Sequence, residues 1–232
     1  MAIEAARIAL RHMTPVILLA DGYLSNAAEP WRIPDAGSLP AIEHHAAPEP
    51  DPESTPQRQA FTRDKQSYGR PWITPGMPDF MHRIGGLEKD INTGHISYDP
   101  QNHQAMTEMR QAKVDSVANF IPEQQLELGP ASGDLVVVGW GSTYGPIYQA
   151  ALRTGASYVH LRYLNPFPAN LGELLAGFDN VLIPEMNNGQ LCTVIRDKLC
   201  QKAISFTKVS GHPFLISELV EKIEAVRRGE SS

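Results

Sequence analysis

The chain is short of cysteine, of excess positive charge and of long apolar runs, and each shortage removes a class of function. It has 2 cysteines in 232 residues, Cys192 and Cys200. Both fall in a stretch whose periodicity predicts a helix over 189–202, where they would stand about 12 Å apart along the axis, too far for a disulfide. Two thiols also fall short of the four ligands an iron–sulfur cluster ordinarily takes. Buried, reduced cysteines are expected. A formal net charge of −6 argues against a nucleic-acid surface or an anionic membrane as partner. The opening "MAIEAARIALRHMTPVILLADG" carries Glu4, Arg7, Arg11 and His12, and Pro15 interrupts it, unlike a signal-peptide core or a spanning helix. A cytoplasmic protein that engages neither membrane nor nucleic acid is expected.

What the chain does have is uneven. Residues 2–13 read as a helix through Ile3, Ala6, Ile8, Leu10 and Met13, and "PVILLA" (15–20) follows as a fully buried strand would. One helix and one strand make no core, so this strand needs neighbours from elsewhere. Ten of the 19 prolines then fall between Pro30 and Pro78, which reads as an extended crossover without its own core. His44 and His45 lie inside it and are expected to be solvated, since a metal would need further ligands placed by a fold. Asp99-Pro100 signals a helix start, a capping acid followed by proline at the first helical position.

From residue 134 strands and helices alternate. The candidate strands are 135–139, 157–161, 180–184 and 205–209, and the candidate helices roughly 145–154, 170–176, 189–202 and 215–228. Such alternation predicts an α/β fold, a mainly parallel sheet with helices on both faces.

"LVVVGWGSTYGPIYQAAL" (135–152) looks like the start of a dinucleotide site. The G-x-G-x-x-G fingerprint also needs an acid about 20 positions on. Here Gly139 and Gly141 fit, Tyr144 holds the third slot with Gly145 one place late, and no Asp or Glu lies between Asp134 and Glu173. Tight turning explains the glycines, with Ser142 and Thr143 capping the next helix. A hydrolase elbow around Ser142 fails because Trp140 stands where glycine is required.

Six blocks carry a more specific signal: "TPVILLADGYLSNAAEPWRIPD" (14–35), "RIGGLEKDINTGHISYDPQNHQAMTEMRQAKVD" (83–115), "VVVGWGSTYGPIYQAA" (136–151), "LNPFPANL" (164–171), "PEMNNGQL" (184–191) and "VSGHPFLISELVEKI" (209–223). In this order they resemble the C-terminal part of the alpha subunit of 2-oxoacid:ferredoxin oxidoreductases, the 2-oxoglutarate-using branch above all. The resemblance implies a thiamine diphosphate enzyme that decarboxylates a 2-oxoacid, here 2-oxoglutarate, forms an acyl-CoA and passes electrons through iron–sulfur clusters to ferredoxin. It divides the chain into the tail of a pyrimidine-binding domain (1–29), the proline-rich crossover (30–82) and a transketolase C-terminal-like domain (83–229).

The stretch holding the glutamate that activates the cofactor's aminopyrimidine in this family has no counterpart here. Nor does a G-D-G stretch followed by asparagine, because Gly133-Asp134 continues with Leu135. Thiamine diphosphate, Mg and the cluster are therefore expected mainly on a beta-subunit partner. This chain is expected to be inactive alone, to hold no catalytic, cofactor or metal residue, and to serve assembly with the beta subunit and the rest of the alpha subunit. Ferredoxin and CoA would engage the complex. The alternative is a free-standing α/β module for interaction or ligand binding. Lys89 stands where the family leads one to expect histidine, and is read as solvated.

Among the remaining polar groups, Asn187, Asn188 and Gln190 follow the third strand of the alternation. They form either a loop facing a partner or the substrate entrance, or a glycine turn with capping asparagines. Phe167 in "NPFP" should plug the core. Glu173, Glu185, Glu218 and Glu221 have no apolar pocket or partner visible in sequence, and His160 and His212 read as packed strand-end and turn residues. The displaced glycine and missing acid predict no NAD or NADP binding at 139–145. Saturable binding of either in calorimetry, abolished by Gly141→Val, would contradict this.

Overall fold

The computed structural model describes residues 1–230. It divides into two compact units, Met1–Leu18 with Pro30–Phe120, and Leu19–Glu29 with the chain from Ile121 on.

The first unit is built on helices with a largely polar interior. Helix α1 (Ala2–His12) forms where the sequence predicts it and ends on Met13 in the left-handed conformation. The next helix in the chain, α2 (Gly22–Asn26), belongs to the second unit. Helix α3 (Pro56–Phe61) is capped by the Thr55 side chain. Helix α4 (Pro100–Ser116) starts at the expected cap, with the Asp99 carboxylate accepting from the Gln101 and Asn102 amides at 2.7 and 3.3 Å. The proline-rich stretch is mostly irregular yet buries Ala60 and Phe80.

His12, Ser67 and Ser116 are buried together. The His12 Nδ1 lies 3.1 Å from the Ser67 carbonyl oxygen and 3.3 Å from the Ser116 hydroxyl. Gly69 lets this strand of chain approach α1, since a Cβ there would meet the Arg11 carbonyl oxygen at 2.5 Å.

Three expectations change here. Residues 15–20 form no strand, and Ile17 and Leu19 are 82% and 60% exposed. Apolar composition marks a segment for burial, but a strand exists only where neighbours accept its backbone hydrogen bonds. His44 is exposed as expected, whereas His45 is half-buried with its Nε2 2.8 Å from the Ser67 hydroxyl. Lys89 is buried, not solvated, and its ammonium donates to the carbonyls of Gly85 and Leu87 across a tight turn.

The described residues of the second unit form a five-stranded sheet in the order β1-β3-β2-β4-β5. The strands are β1 (Leu126–Leu128), β2 (Gly133–Trp140), β3 (Ser157–Leu161), β4 (Phe178–Glu185) and β5 (Ala203–Thr207). All pairings are parallel except β1 with β3, so the expected α/β architecture holds. Strand β1 was not foreseen, being three residues long at an edge.

Alternate residues of β2 feed two cores. Val136 and Val138 pack with α6 (Leu171–Ala176) and α7 (Gln190–Leu199), while Leu135 and Val137 pack with α5 (Tyr144–Thr154) and α8 (Ile216–Arg227). Phe167 joins the first core as expected. Among the described residues no helix is long and apolar enough to cross a membrane.

Burial pushes the His12 imidazole below its ordinary value of 6.5, opposed by the Ser67 carbonyl and reinforced by the charges of Arg11 and Lys113. The unfolded chain binds a proton that the folded one refuses, so stability is present above the unfolded value and is lost as pH falls from there through the lower folded value. The first unit should therefore unfold at lower urea at about pH 5.5 than at about pH 7.5, and His12→Gln should flatten the difference. An unchanged urea midpoint across that range would contradict the assignment.

Candidate functional site

Strand β2 feeds α5 on one face of the sheet, and β4 feeds α7 on the other. The carboxyl ends of these adjacent strands therefore flank the place where the connections diverge, the usual ligand crevice of an open α/β sheet. Here both ends are occupied by carboxylates of the chain itself.

At the end of β2, Gly141 takes a φ of 60°. The Thr143 hydroxyl accepts from the Trp140 amide at 3.1 Å and donates to the Trp140 carbonyl at 2.8 Å, which closes the turn. The Ser142 hydroxyl donates to the Asp21 carboxylate, and Asp21 also caps α2 by accepting from the Leu24 amide at 3.0 Å. Burial raises the Asp21 carboxyl, but the Ser142 hydroxyl and the Leu24, Ser142 and Tyr23 amides outweigh it, so the group lies below its ordinary range. A charged carboxylate thus sits at the glycine turn where a dinucleotide would place its pyrophosphate.

At the end of β4, Glu185 is fully buried. Its carboxylate accepts from the Leu191 and Cys192 amides at 2.9 and 3.0 Å, the free donors that open α7, and from the Asn187 side chain at 3.1 Å. Buried negative charge at a helix N-terminus is stabilised by those amides and the helix dipole. The Asn187 side-chain oxygen accepts from the Gly189 and Gln190 amides at 2.7 and 3.2 Å. Gly189 has a φ of 87°, and a Cβ there would meet the Ser205 hydroxyl at 2.8 Å. Of the three loop residues singled out from sequence, Asn187 turns inward to build the turn, while Asn188 and Gln190 are exposed. The sequence reading missed the role of Glu185. The available signal was an acid closing a buried strand just before N-x-G at a helix start.

The other candidates separate from this crevice. Cys192 is buried, and burial pushes its thiol up, opposed by Arg196 and reinforced by Glu185. Cys200 is exposed at the end of α7, which corrects the expectation that both cysteines are buried. The Tyr158 hydroxyl lies 2.7 Å from His160 Nδ1, and burial holds that imidazole below its ordinary value. An open groove of about 730 Å3 runs between the starts of α5 and α8, lined by Tyr144, Tyr148, Phe214 and Leu215 with Arg153 as its charged member. Among the described residues no three of His, Cys, Asp or Glu gather as a metal site would require.

Glu185→Ala would strand two buried amides. It should cost the second unit about 2–4 kcal/mol, and Asn187→Ala about 1 kcal/mol, in urea unfolding. Wild-type stability of Glu185→Ala would refute the anchoring role.

No family model matches the chain. It is 45% identical to the 2-oxoglutarate oxidoreductase subunit KorA of Mycobacterium tuberculosis over 98% of its own length and 35% of that protein. It is 32% identical to 2-oxoacid:ferredoxin oxidoreductase 1, subunit alpha, of Aeropyrum pernix over 98% of this chain and 37% of that one. A solved 2-oxoglutarate:ferredoxin oxidoreductase from Magnetococcus marinus, with 2-oxoglutarate, coenzyme A and succinyl-CoA bound, matches with a TM-score of 0.83 and 28% identity over 94% of this chain and 38% of that chain. The chain spans little more than a third of the relatives it matches. By sequence over nearly its whole length, and by fold, the chain is a homologue of about a third of the alpha subunit of the 2-oxoacid:ferredoxin oxidoreductases.

Proposed function

We propose that this chain is an architectural portion of a thiamine diphosphate-dependent 2-oxoacid:ferredoxin oxidoreductase, with 2-oxoglutarate as substrate, succinyl-CoA as product and ferredoxin as electron acceptor. The identity to a 2-oxoglutarate oxidoreductase subunit supports the substrate. The matching solved enzyme, described with 2-oxoglutarate, coenzyme A and succinyl-CoA, supports the reaction.

The residues of this chain do not fit the cofactors. Its two cysteines fall short of the four ligands a cluster ordinarily takes, and the Asp21 carboxylate sits at the glycine turn where a diphosphate would seek amides. Diphosphate, Mg and cluster are assigned to the beta subunit, in a cytoplasmic complex, and no chemical step is routed through this chain. Asn188 and Gln190, exposed at the end of β4, are proposed to face the partner.

The observation that carries the assembly role is the exposure of large apolar side chains within the first unit, where Ile17, Leu18, Trp31 and Ile33 are 82, 51, 72 and 81% exposed. Large apolar side chains left exposed to water in this number are read as an interaction site. The rest of the alpha subunit is proposed to cover it and to supply the strand neighbours that residues 15–20 lack.

In coexpression with the remaining alpha-subunit chain and the beta subunit, Leu18→Asp should abolish copurification, because burying an unpaired carboxylate costs several kcal/mol. Amide exchange at 135–139 should stay slow. A Leu18→Asp chain that still assembles, or a wild-type chain that is monodisperse and binds neither partner, would favour the free-standing module.

A further inference from the structure

The first unit holds positive charge that nothing in it neutralises. Arg63 and Arg70 flank Phe61: Arg63 Nη1 lies 3.5 Å from the Phe61 carbonyl oxygen, and the Arg70 guanidinium carbon sits 4.6 Å from the ring centre. Arg63 Nη2 also meets the Met106 sulfur at 3.7 Å. Lys113, two turns after Met106 on the same face of α4, spends its ammonium on the Met13 carbonyl at 3.3 Å. All three cations are half-buried. The Arg63 Nε is wholly buried and has no hydrogen-bond partner. A stranded donor of this kind carries its full desolvation penalty, and a guanidinium cannot escape by losing its proton.

Among the described residues no carboxylate stands within ion-pair distance of Arg63, Arg70 or Lys113. The acids of the neighbourhood are engaged elsewhere: Glu88 with Arg110 and His103, Asp64 with Ser67, and Asp115 with Gln111. Burial, then repulsion from Arg63 and Arg70, drives Lys113 down to about 8. Burial pushes both guanidinium groups down as well, and Arg70 and Arg110 add to the effect on Arg63.

We propose that Arg63, Arg70 and Lys113 form a binding site for a phosphate-class oxyanion, which would accept from both guanidinium groups and the ammonium at once. One carboxylate would leave two of three charges uncompensated, whereas a phosphate brings a double charge and enough oxygens for two planar forks and a point charge. The site lies wholly within the first unit, so it stands apart from the reading of the whole enzyme given above.

The test is a titration of the full chain with inorganic phosphate against sodium chloride at equal ionic strength, following arginine Nε–H resonances and the thermal midpoint. Phosphate should shift the Arg63 Nε–H saturably and raise the midpoint, and chloride should do neither. Affinity should fall roughly tenfold or more in Arg63→Gln and in Lys113→Met. Binding near pH 8 should take up protons as the anion restores the Lys113 charge, read as heat that varies with the buffer. Lys113→Met keeps the test decisive if Arg63→Gln does not fold. Tighter binding of glycerol phosphate than of inorganic phosphate would assign an esterified ligand, and the reverse a free ion. Equal stabilisation by phosphate and chloride, or a phosphate response that survives in Lys113→Met, would overturn the proposal.

Discussion

The second unit depends on β2, a parallel strand with both faces covered. Val136, Val137 and Val138 have no exposed surface, and β3 and β4 pair with the strand on its two sides. A strand in that position must be apolar along its length and must leave the sheet abruptly, because the helix that follows has to fold back over one face. The glycine turn after Gly139 follows from that demand. A Cβ at Gly139 would meet the Ile147 side chain at 2.5 Å, so the close packing of α5 on the sheet accounts for that glycine without any nucleotide.

The same geometry places the carboxyl ends of β2 and β4 where their connections diverge, and groups of the chain itself engage both ends. Asp21 takes the Ser142 hydroxyl on one side, and Glu185 takes the first amides of α7 on the other. Groups that in many α/β proteins would receive a ligand are here satisfied internally. The Asp21 contact joins residues 121 apart in sequence and ties the 19–29 segment to the sheet unit. The glycine turn after β2 and the first turn of α7 are thus each engaged by a side chain of the second unit itself.

Much of this was legible in the sequence where local physics decides the outcome. The run 135–139 reads as a strand and Asp99-Pro100 as a helix start, and both elements form there. The strand at 157–161 was read to the residue. What escaped depends on partners distant in sequence. Strand β1 is too short to show a period and exists because β3 offers an edge. The strand at 203–207 was read two residues late, since "SFTKV" alternates as well as "AISFT" and only pairing with β4 selects the register. Residues 15–20 show the opposite failure, apolar enough for a buried strand but without neighbours. Glu185 looked like any surface acid until the amides of α7 were placed against it, and Lys89 looked solvated until two carbonyls closed over its ammonium.

We propose that this chain contributes architecture, with the chemistry held by the chains around it. The direct measurement is 2-oxoglutarate-dependent ferredoxin reduction by the purified chain supplied with thiamine diphosphate, Mg and coenzyme A, beside the same chain coexpressed with the rest of the alpha subunit and the beta subunit. The chain alone should give no rate above background, and the assembled complex should turn over. Turnover by the isolated chain, growing in proportion to its concentration and free of copurified partners, would contradict the claim.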